Sequence, residues 1–245
     1  MLLIFLTFFN MYRIFVYGAS NNVVLTASIW EILMNKIKLI IVLFIGIALF
    51  AGNECPAQTR ISGSLSGTLG PDTYIVEGDV SVDQDSALTI MPGTVFQNDS
   101  GIVWEISGRL IAQGTETDSI LWTWHTASAN TRWRGIRFQS TASDSCVFDY
   151  CIVEHCYHNF MSFFGGGIYL QEGTLTIDHS RISECEGWPD GGGIYAWFSQ
   201  LHVRNSIITD NSAPVEGNGG GIYFLDCDSS SVYNCIVARN AATSI

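Results

Sequence analysis

Four aspartates, Asp178, Asp210, Asp226 and Asp228, are the residues of this chain best suited by type and position to acid–base work. Two carboxylates about 5 to 9.5 Å apart across a glycosidic bond can cleave it, one as acid and the other as base or nucleophile. Aromatic residues recur nearby: Tyr169, Tyr195 and Tyr223, with Trp188 and Trp197. Such rings offer a flat apolar face with a polar handle, the combination that stacks on sugar rings. A dense group, Cys146, Cys151, His155, Cys156 and His158, contains metal-ligand types, but its spacing fits no zinc-knuckle pattern. Strand alternation would send those side chains to different faces. The reading is therefore no metal, with core thiols and surface imidazoles.

Whether any of these residues meet depends on a repeat. Gly165-Gly166-Gly167-Ile168-Tyr169 returns as Gly191-Gly192-Gly193-Ile194-Tyr195 and as Gly219-Gly220-Gly221-Ile222-Tyr223, at spacings of 26 and 28 residues. Self-similarity at such a period marks a repeat fold. Apolar residues alternate over short runs rich in Ile, Val, Thr and Tyr, broken by Gly, Asn, Asp and Ser, which predicts strands, two or three per repeat. One repeat of extended chain, at about 3.3 Å per residue, can close one turn of a coil that stacks on the next at about 4.8 Å. Inward ladders then follow: Ile168, Ile194, Ile222; Phe148, Ile177, Val203, Val232; Cys151, Ser180, Ser206, Cys235; Cys156, Cys185, Asn211, Asn240. Asn stacked at a corner can bond both the turn backbone and the next Asn. The glycines are expected where the chain bends through positive φ.

These Gly-Gly-Gly-Ile-Tyr runs, paired with Ile208-x-x-Asn211 and Val237-x-x-Asn240, resemble the repeats of secreted right-handed parallel β-helix proteins, the pectin-lyase-like group. More distantly they are similar to the repeats of chlamydial polymorphic membrane proteins, with Ile or Val here in place of Phe and Cys in place of Asn in the two earlier coils. The resemblance implies an all-β, right-handed parallel β-helix solenoid. Proteins of similar fold include polysaccharide lyases and glycosidases. No Asp-Asp pair stands beside a His-Gly and an Arg-x-Lys element, as the polygalacturonase pattern requires. Lyases of similar fold need a basic residue beside calcium-binding acids, and Arg181, Arg204 and Arg239 are spread over different strands.

Charge narrows the partners. From Gln58 onward there are eight arginines, no lysine and 21 acids, a net of −13. Such a surface repels nucleic acid and anionic membranes. At the N-terminus, Lys36 and Lys38 precede an apolar run over residues 39–51, and Cys55-Pro-Ala57 ends at a small-residue cleavage site. Residues 34–57 thus read as a secretory signal of bacterial type, with residues 1–33 an upstream extension from a mis-chosen start, and the alternative is an uncleaved anchor. Secretion or display on the cell envelope follows.

Residues 58–145 read as the capping end and first coils of the stack, and residues 146–245 as its regular coils. After Asn240 another glycine run is due, so further coils are expected beyond Ile245. Cys156 and Cys185, one coil apart in one ladder at about 5 Å, are within disulfide range; two stacked thiols are the other reading. If Ile168, Ile194 and Ile222 point inward, Tyr169, Tyr195 and Tyr223 point out, either as a contact face or covered by the loop of residues 159–164. Four scattered acids among 21 are expected by chance. The leading expectation is a non-catalytic adhesion or glycan-binding scaffold with no cofactor, its partner a polysaccharide or cell-surface glycan; the alternative is a carbohydrate-active enzyme.

Overall fold

The computed structural model describes residues 34–38, 58–125, 132–158, 165–214 and 217–243. The chain divides into two compact units, Met1–Pro56 and Ala57–Ile245. In the first, residues 34–38 are helical, with Lys36 and Lys38 exposed. The rest of the expected signal and upstream extension lies outside the described residues, as does the loop of residues 159–164. No helix among the described residues is long and apolar enough to cross a membrane.

The second unit is a parallel β-solenoid. One regular coil consists of β13 (Ile168–Gln171), β14 (Thr174–Asp178), β15 (Arg181–Ser183) and β16 (Glu186–Gly187), four short strands each followed by a bend. The next coil repeats it as β17 (Ile194–Trp197), β18 (Gln200–Arg204), β19 (Ile207–Thr209) and β20 (Ser212–Ala213). The last is β21 (Ile222–Leu225), β22 (Ser231–Tyr233), β23 (Ile236–Ala238) and β24 (Ala241–Ala242). Each strand pairs in parallel with its counterpart one coil away, so sequence-distant strands stack into sheets of 13, seven and four strands. The largest joins two faces through the long β3 (Thr73–Val82), which bends from one to the other.

Register confirms the expected ladders and extends them. Ile168 lies over Ile136 and under Ile194, which lies under Ile222. Ala112, Phe148, Ile177, Val203 and Val232 form the second column. A third column, Val237, Ile208, Ile182 and Val153, changes from aliphatic to aromatic towards the N-terminus. Tyr74, Phe96 and Trp122 stack with centroids 5.6 and 5.2 Å apart, and Phe148 continues from Trp122 at 5.3 Å. Larger rings there fill the interior that small aliphatics and polar corners fill later, and Trp104, Trp122 and Phe148 are fully buried.

Corners follow a rule that differs from the expected one. Gly165, Gly191 and Gly219, the first glycine of each run, have φ of 81°, 71° and 61°, as expected. At the other three corners the left-handed residue is not glycine. One column is Tyr150, His179, Asn205 and Asn234; a second is His155, Glu184, Asp210 and Arg239; a third is Glu172, Phe198 and Asp226. Left-handed backbone costs an ordinary residue roughly 1–2 kcal/mol. Here the next residue in sequence offsets it. Ser180 Oγ donates to Asp178 O at 2.6 Å, Ser206 Oγ to Arg204 O at 2.6 Å, and Ser199 Oγ to Trp197 O at 2.6 Å. Cys151, Cys185, Cys227 and Cys235 use Sγ in the same way, at 3.1–3.4 Å. Sequence-distant carbonyls are reached too, as by Cys185 Sγ to Val153 O at 3.9 Å and Asn211 Nδ2 to Ile182 O at 3.0 Å.

Candidate functional site

The tyrosine column forms as the repeat requires. Tyr169 pairs with Tyr195 and Tyr195 with Tyr223. Their rings lie 5.6 and 5.3 Å apart. Of the two readings left open, contact face or covered column, its burial matches the second: Tyr169 is 9% exposed and Tyr195 3%, while Tyr223 is half-buried. Two causes are visible. Each ring covers its neighbour, and the glycine corners fold against the tyrosine bases, so a Cβ on Gly191 would lie 2.6 Å from that of Tyr195 and one on Gly219 2.6 Å from that of Tyr223. Burial, with Asp190 nearby, pushes the Tyr195 hydroxyl up to about 12 and raises that of Tyr169.

Beneath the tyrosines the same column holds Arg137 and then Glu105. The Arg137 guanidinium lies 5.7 Å over the Tyr169 ring and is 3% exposed. Burial lowers it to about 10, opposed by the Glu105 charge. The column is therefore a packed seam between coils.

Exposed aromatic surface lies one strand position further on. Trp197 is half-buried, in register between Gln171 and Leu225. Phe198, at a left-handed corner, is 55% exposed and meets Trp197 edge to face at 5.3 Å. Trp188 is half-buried, with its Nε1 shielded from solvent. Of the five aromatics singled out in the sequence, Trp188, Trp197 and Tyr223 are half-buried and Tyr169 and Tyr195 buried; the exposed ring here is Phe198, which was missed because its exposure depends on the corner conformation.

The four aspartates do not converge. Asp178 ends a strand, Asp210 and Asp226 occupy two different left-handed corners, and Asp228 lies in the turn after the latter. Asp178 instead meets residues that the sequence reading passed over. It stacks on Asp149 of the coil below, and its neighbour His179 places Nδ1 at 3.2 Å from both carboxylates. The three donor atoms lie within 4.8 Å of one another. From the coil above, Arg204 Nε donates to Asp178 Oδ2 at 2.7 Å and Asn205 Nδ2 to Oδ1 at 2.8 Å. Burial works to raise the Asp178 carboxyl, but the Asn205 and Arg204 bonds, with His179, hold it below the usual range. The Tyr150 ring stacks on His179 at 4.6 Å.

Each of the three candidate arginines is committed in the same manner. Arg181 bonds Glu154 at 2.9 Å, Arg204 bonds Asp178, and Arg239 grips Asp210 through two bonds of 2.7 Å. In every case the acid belongs to the coil below. These pairs are coil-to-coil staples along the corners. The signal was present in the sequence as a spacing of 26 to 29 residues between acid and arginine.

Cys146, Cys151, Cys156 and Cys185 are buried thiols, while Cys227 and Cys235 are half-buried. Burial drives Cys151 and Cys156 well above the ordinary thiol range. Cys156 and Cys185 occupy the rungs that Asn211 and Asn240 fill in later coils, and Cys185 N donates to Asn211 Oδ1 at 3.0 Å.

Residues 124–245 match the family model described as the right handed beta helix region. A stretch of 53 residues is 40% identical to metabotropic glutamate receptor-like protein P of Dictyostelium discoideum, covering 22% of this chain and 4% of that protein. No solved structure matches the chain.

Proposed function

This chain is a right-handed parallel β-helix protein, and we propose that it serves as a non-catalytic scaffold, secreted or displayed at a cell surface, whose outer face binds a polysaccharide or cell-surface glycan. The observation that carries this reading is the Trp197–Phe198 pair. A half-buried ring and an exposed one stand at an angle beside a seam of stacked, buried tyrosines. A rigid backing and an open ring face suit the stacking of a pyranose. The commitment of Asp178, Asp210, Arg204 and Arg239 to one another supports the absence of catalysis, since these groups already hold partners. The net charge of −13 beyond residue 57 favours neutral over anionic glycans.

Affinity electrophoresis against a panel of neutral and uronic polysaccharides tests it. Retardation by at least one neutral polysaccharide, abolished in the Trp197→Ala/Phe198→Ala double variant, is expected. Unchanged mobility across the panel would refute the reading.

A second reading has one specific observation in its favour: Asp149, Asp178 and His179 bring two carboxylates and an imidazole together across adjacent coils. Their ligand atoms lie within 4.8 Å of one another, just inside the roughly 5–5.5 Å at which the paired carboxylates of a retaining glycosidase stand. Release of reducing ends without absorbance at 235 nm, lost in Asp149→Asn, would favour this enzyme.

A further inference from the structure

In two of the left-handed columns, corner residues of neighbouring coils pair with one another. Tyr150 stacks on His179 and Asn234 donates to Asn205 in the first; His155 meets Glu184 and Arg239 meets Asp210 in the second. The third column, Glu172, Phe198 and Asp226, breaks that rule. Backbone bonds hold its members over one another, Glu172 N donating to Trp197 O at 2.9 Å and Phe198 N to Leu225 O at 3.0 Å. The side chains do not match, because a ring follows a carboxylate. Aromatic faces carry negative charge density, so a ring face gains nothing from an acid beside it.

Glu172 is exposed, and among the described residues no ion pair or side-chain hydrogen bond engages it. Glu154, Asp178 and Asp210 each receive an arginine from the coil above; above Glu172 stands Phe198. A cation answers both groups at once, gaining cation–π attraction over the ring and charge pairing with the carboxylate. Trp197 meets Phe198 edge to face at 5.3 Å, with Gln171 in register beneath it. Successive coils lie about 4.8 Å apart, so a sugar ring stacked on Trp197 carries its substituents within reach of Phe198 and Glu172.

We propose that the corner of Trp197, Phe198 and Glu172 binds a polysaccharide whose sugars carry free amines, with the pyranose on the aromatic pair and the ammonium between Phe198 and the Glu172 carboxylate. The net charge of −13 beyond residue 57 draws such a polycation towards the chain. The coil of Leu225 and Asp226 lies above Trp197 and Phe198, so the 55% exposure of Phe198 belongs to the outer face of the solenoid. The assignment rests on the glycan-binding reading and names its ligand class.

Calorimetric titration with a glucosamine hexamer and with its N-acetylated counterpart, at about pH 5.5 where free amines are charged, tests it. The amine form should bind about tenfold more tightly, the scale of one cation–π contact joined to one exposed ion pair. Glu172→Gln should bring the two hexamers within about threefold of each other and leave affinity for the acetylated one unchanged, with far-ultraviolet circular dichroism verifying the fold. Glu116→Gln, which removes an exposed acid at another corner, should keep the preference. Equal affinity for the two hexamers overturns the proposal and leaves the glycan reading standing. A preference that survives Glu172→Gln, or falls equally in Glu116→Gln, overturns it in favour of net charge. A lysine hexamer bound as tightly, with the same dependence on Glu172, overturns it in favour of an ammonium site that does not read sugar. Failure of both sugar hexamers, with unchanged mobility across the polysaccharide panel, removes the glycan reading and the proposal together.

Discussion

Oδ1 of Asn240 accepts two hydrogen bonds from Asn211 in the coil below, one from the backbone N–H and one from the side-chain Nδ2, each at 3.0 Å. Asn211 repeats the arrangement downward, accepting from Cys185 N at 3.0 Å and donating to Ile182 O at 3.0 Å. The ladder converts a corner full of buried backbone polar groups into a satisfied one.

Asn211→Ala removes both functions at a site 1% exposed. Cys185 N and Ile182 O lose their partners together, and each buried unsatisfied group costs about 1–3 kcal/mol. The expected loss is about 2–4 kcal/mol, read as a lower urea midpoint. A loss below about 0.5 kcal/mol would show that the ladder is ornamental to stability.

Cysteine occupies rungs that serine occupies elsewhere, with the same carbonyl acceptors. Cys151→Ser should therefore cost under about 1 kcal/mol, because Ser180 already works in that position. Cys151→Leu, which adds volume and removes the donor, should cost about 2–4 kcal/mol. Melting of the wild-type chain with and without reductant then separates the two readings of Cys156 and Cys185. Two thiols leave the midpoint unchanged; a bridge between consecutive coils lowers it on reduction.

The inward ladders were legible because residue type repeats with the coil: Ile168, Ile194 and Ile222 declare their register by identity alone. The Asn corner was legible for the same reason. At two other corners the left-handed residue was not. Tyr150, His179, Asn205 and Asn234 share a backbone conformation but no side-chain chemistry. The repeating signal lies one residue later, in the Cys or Ser that bonds backward. The Asp149–His179–Asp178 cluster escaped notice because Asp149 lies in a coil that carries no glycine run of its own. Sequence left the tyrosines between a contact face and a covered column, because alternation gives direction and says nothing of what covers the outer face.

Acid sensitivity follows from the staples. Asp178 and Asp210 are both held below their usual range in the folded chain, Asp178 against burial by Asn205 and Arg204, and Asp210 by Arg239 and Thr209. A depressed folded value contributes stability that is present above the unfolded value of about 3.9 and is lost as pH falls through the folded one. Thermal midpoints should therefore fall steeply below about pH 4. Asp178→Asn should be less stable than wild type at pH 7, and the gap should narrow below pH 4. A gap independent of pH would remove the carboxylate from the account.

Gly191 has φ of 71°, and a Cβ there would approach Tyr195 Cβ to 2.6 Å and Ile194 O to 2.9 Å. Gly191→Ala thus combines left-handed strain with a clash against backbone, which cannot swing aside. About 2–4 kcal/mol of destabilisation is expected. Gly101, at φ of 76° with nothing closer than 3.9 Å, carries the strain without the clash. Gly101→Ala should cost only about 1 kcal/mol, and equal costs at the two sites would show that close packing on the tyrosine column is unimportant.

Tyr195 and Trp197 are two residues apart on one strand, and they separate structure from binding. Tyr195 is 3% exposed, packed between two rings, so Tyr195→Ala should cost about 3 kcal/mol through the cavity it leaves. At temperatures where that variant remains folded, its affinity for a retained polysaccharide should stay within about threefold of wild type. Trp197→Ala removes a half-buried ring at the open edge and should do the reverse, costing about 1 kcal/mol of stability and most of the affinity. Calorimetric titration beside a melting curve for each variant reads both effects. If Tyr195→Ala loses affinity while Trp197→Ala retains it, the contact surface is the tyrosine seam, and it must open to bind.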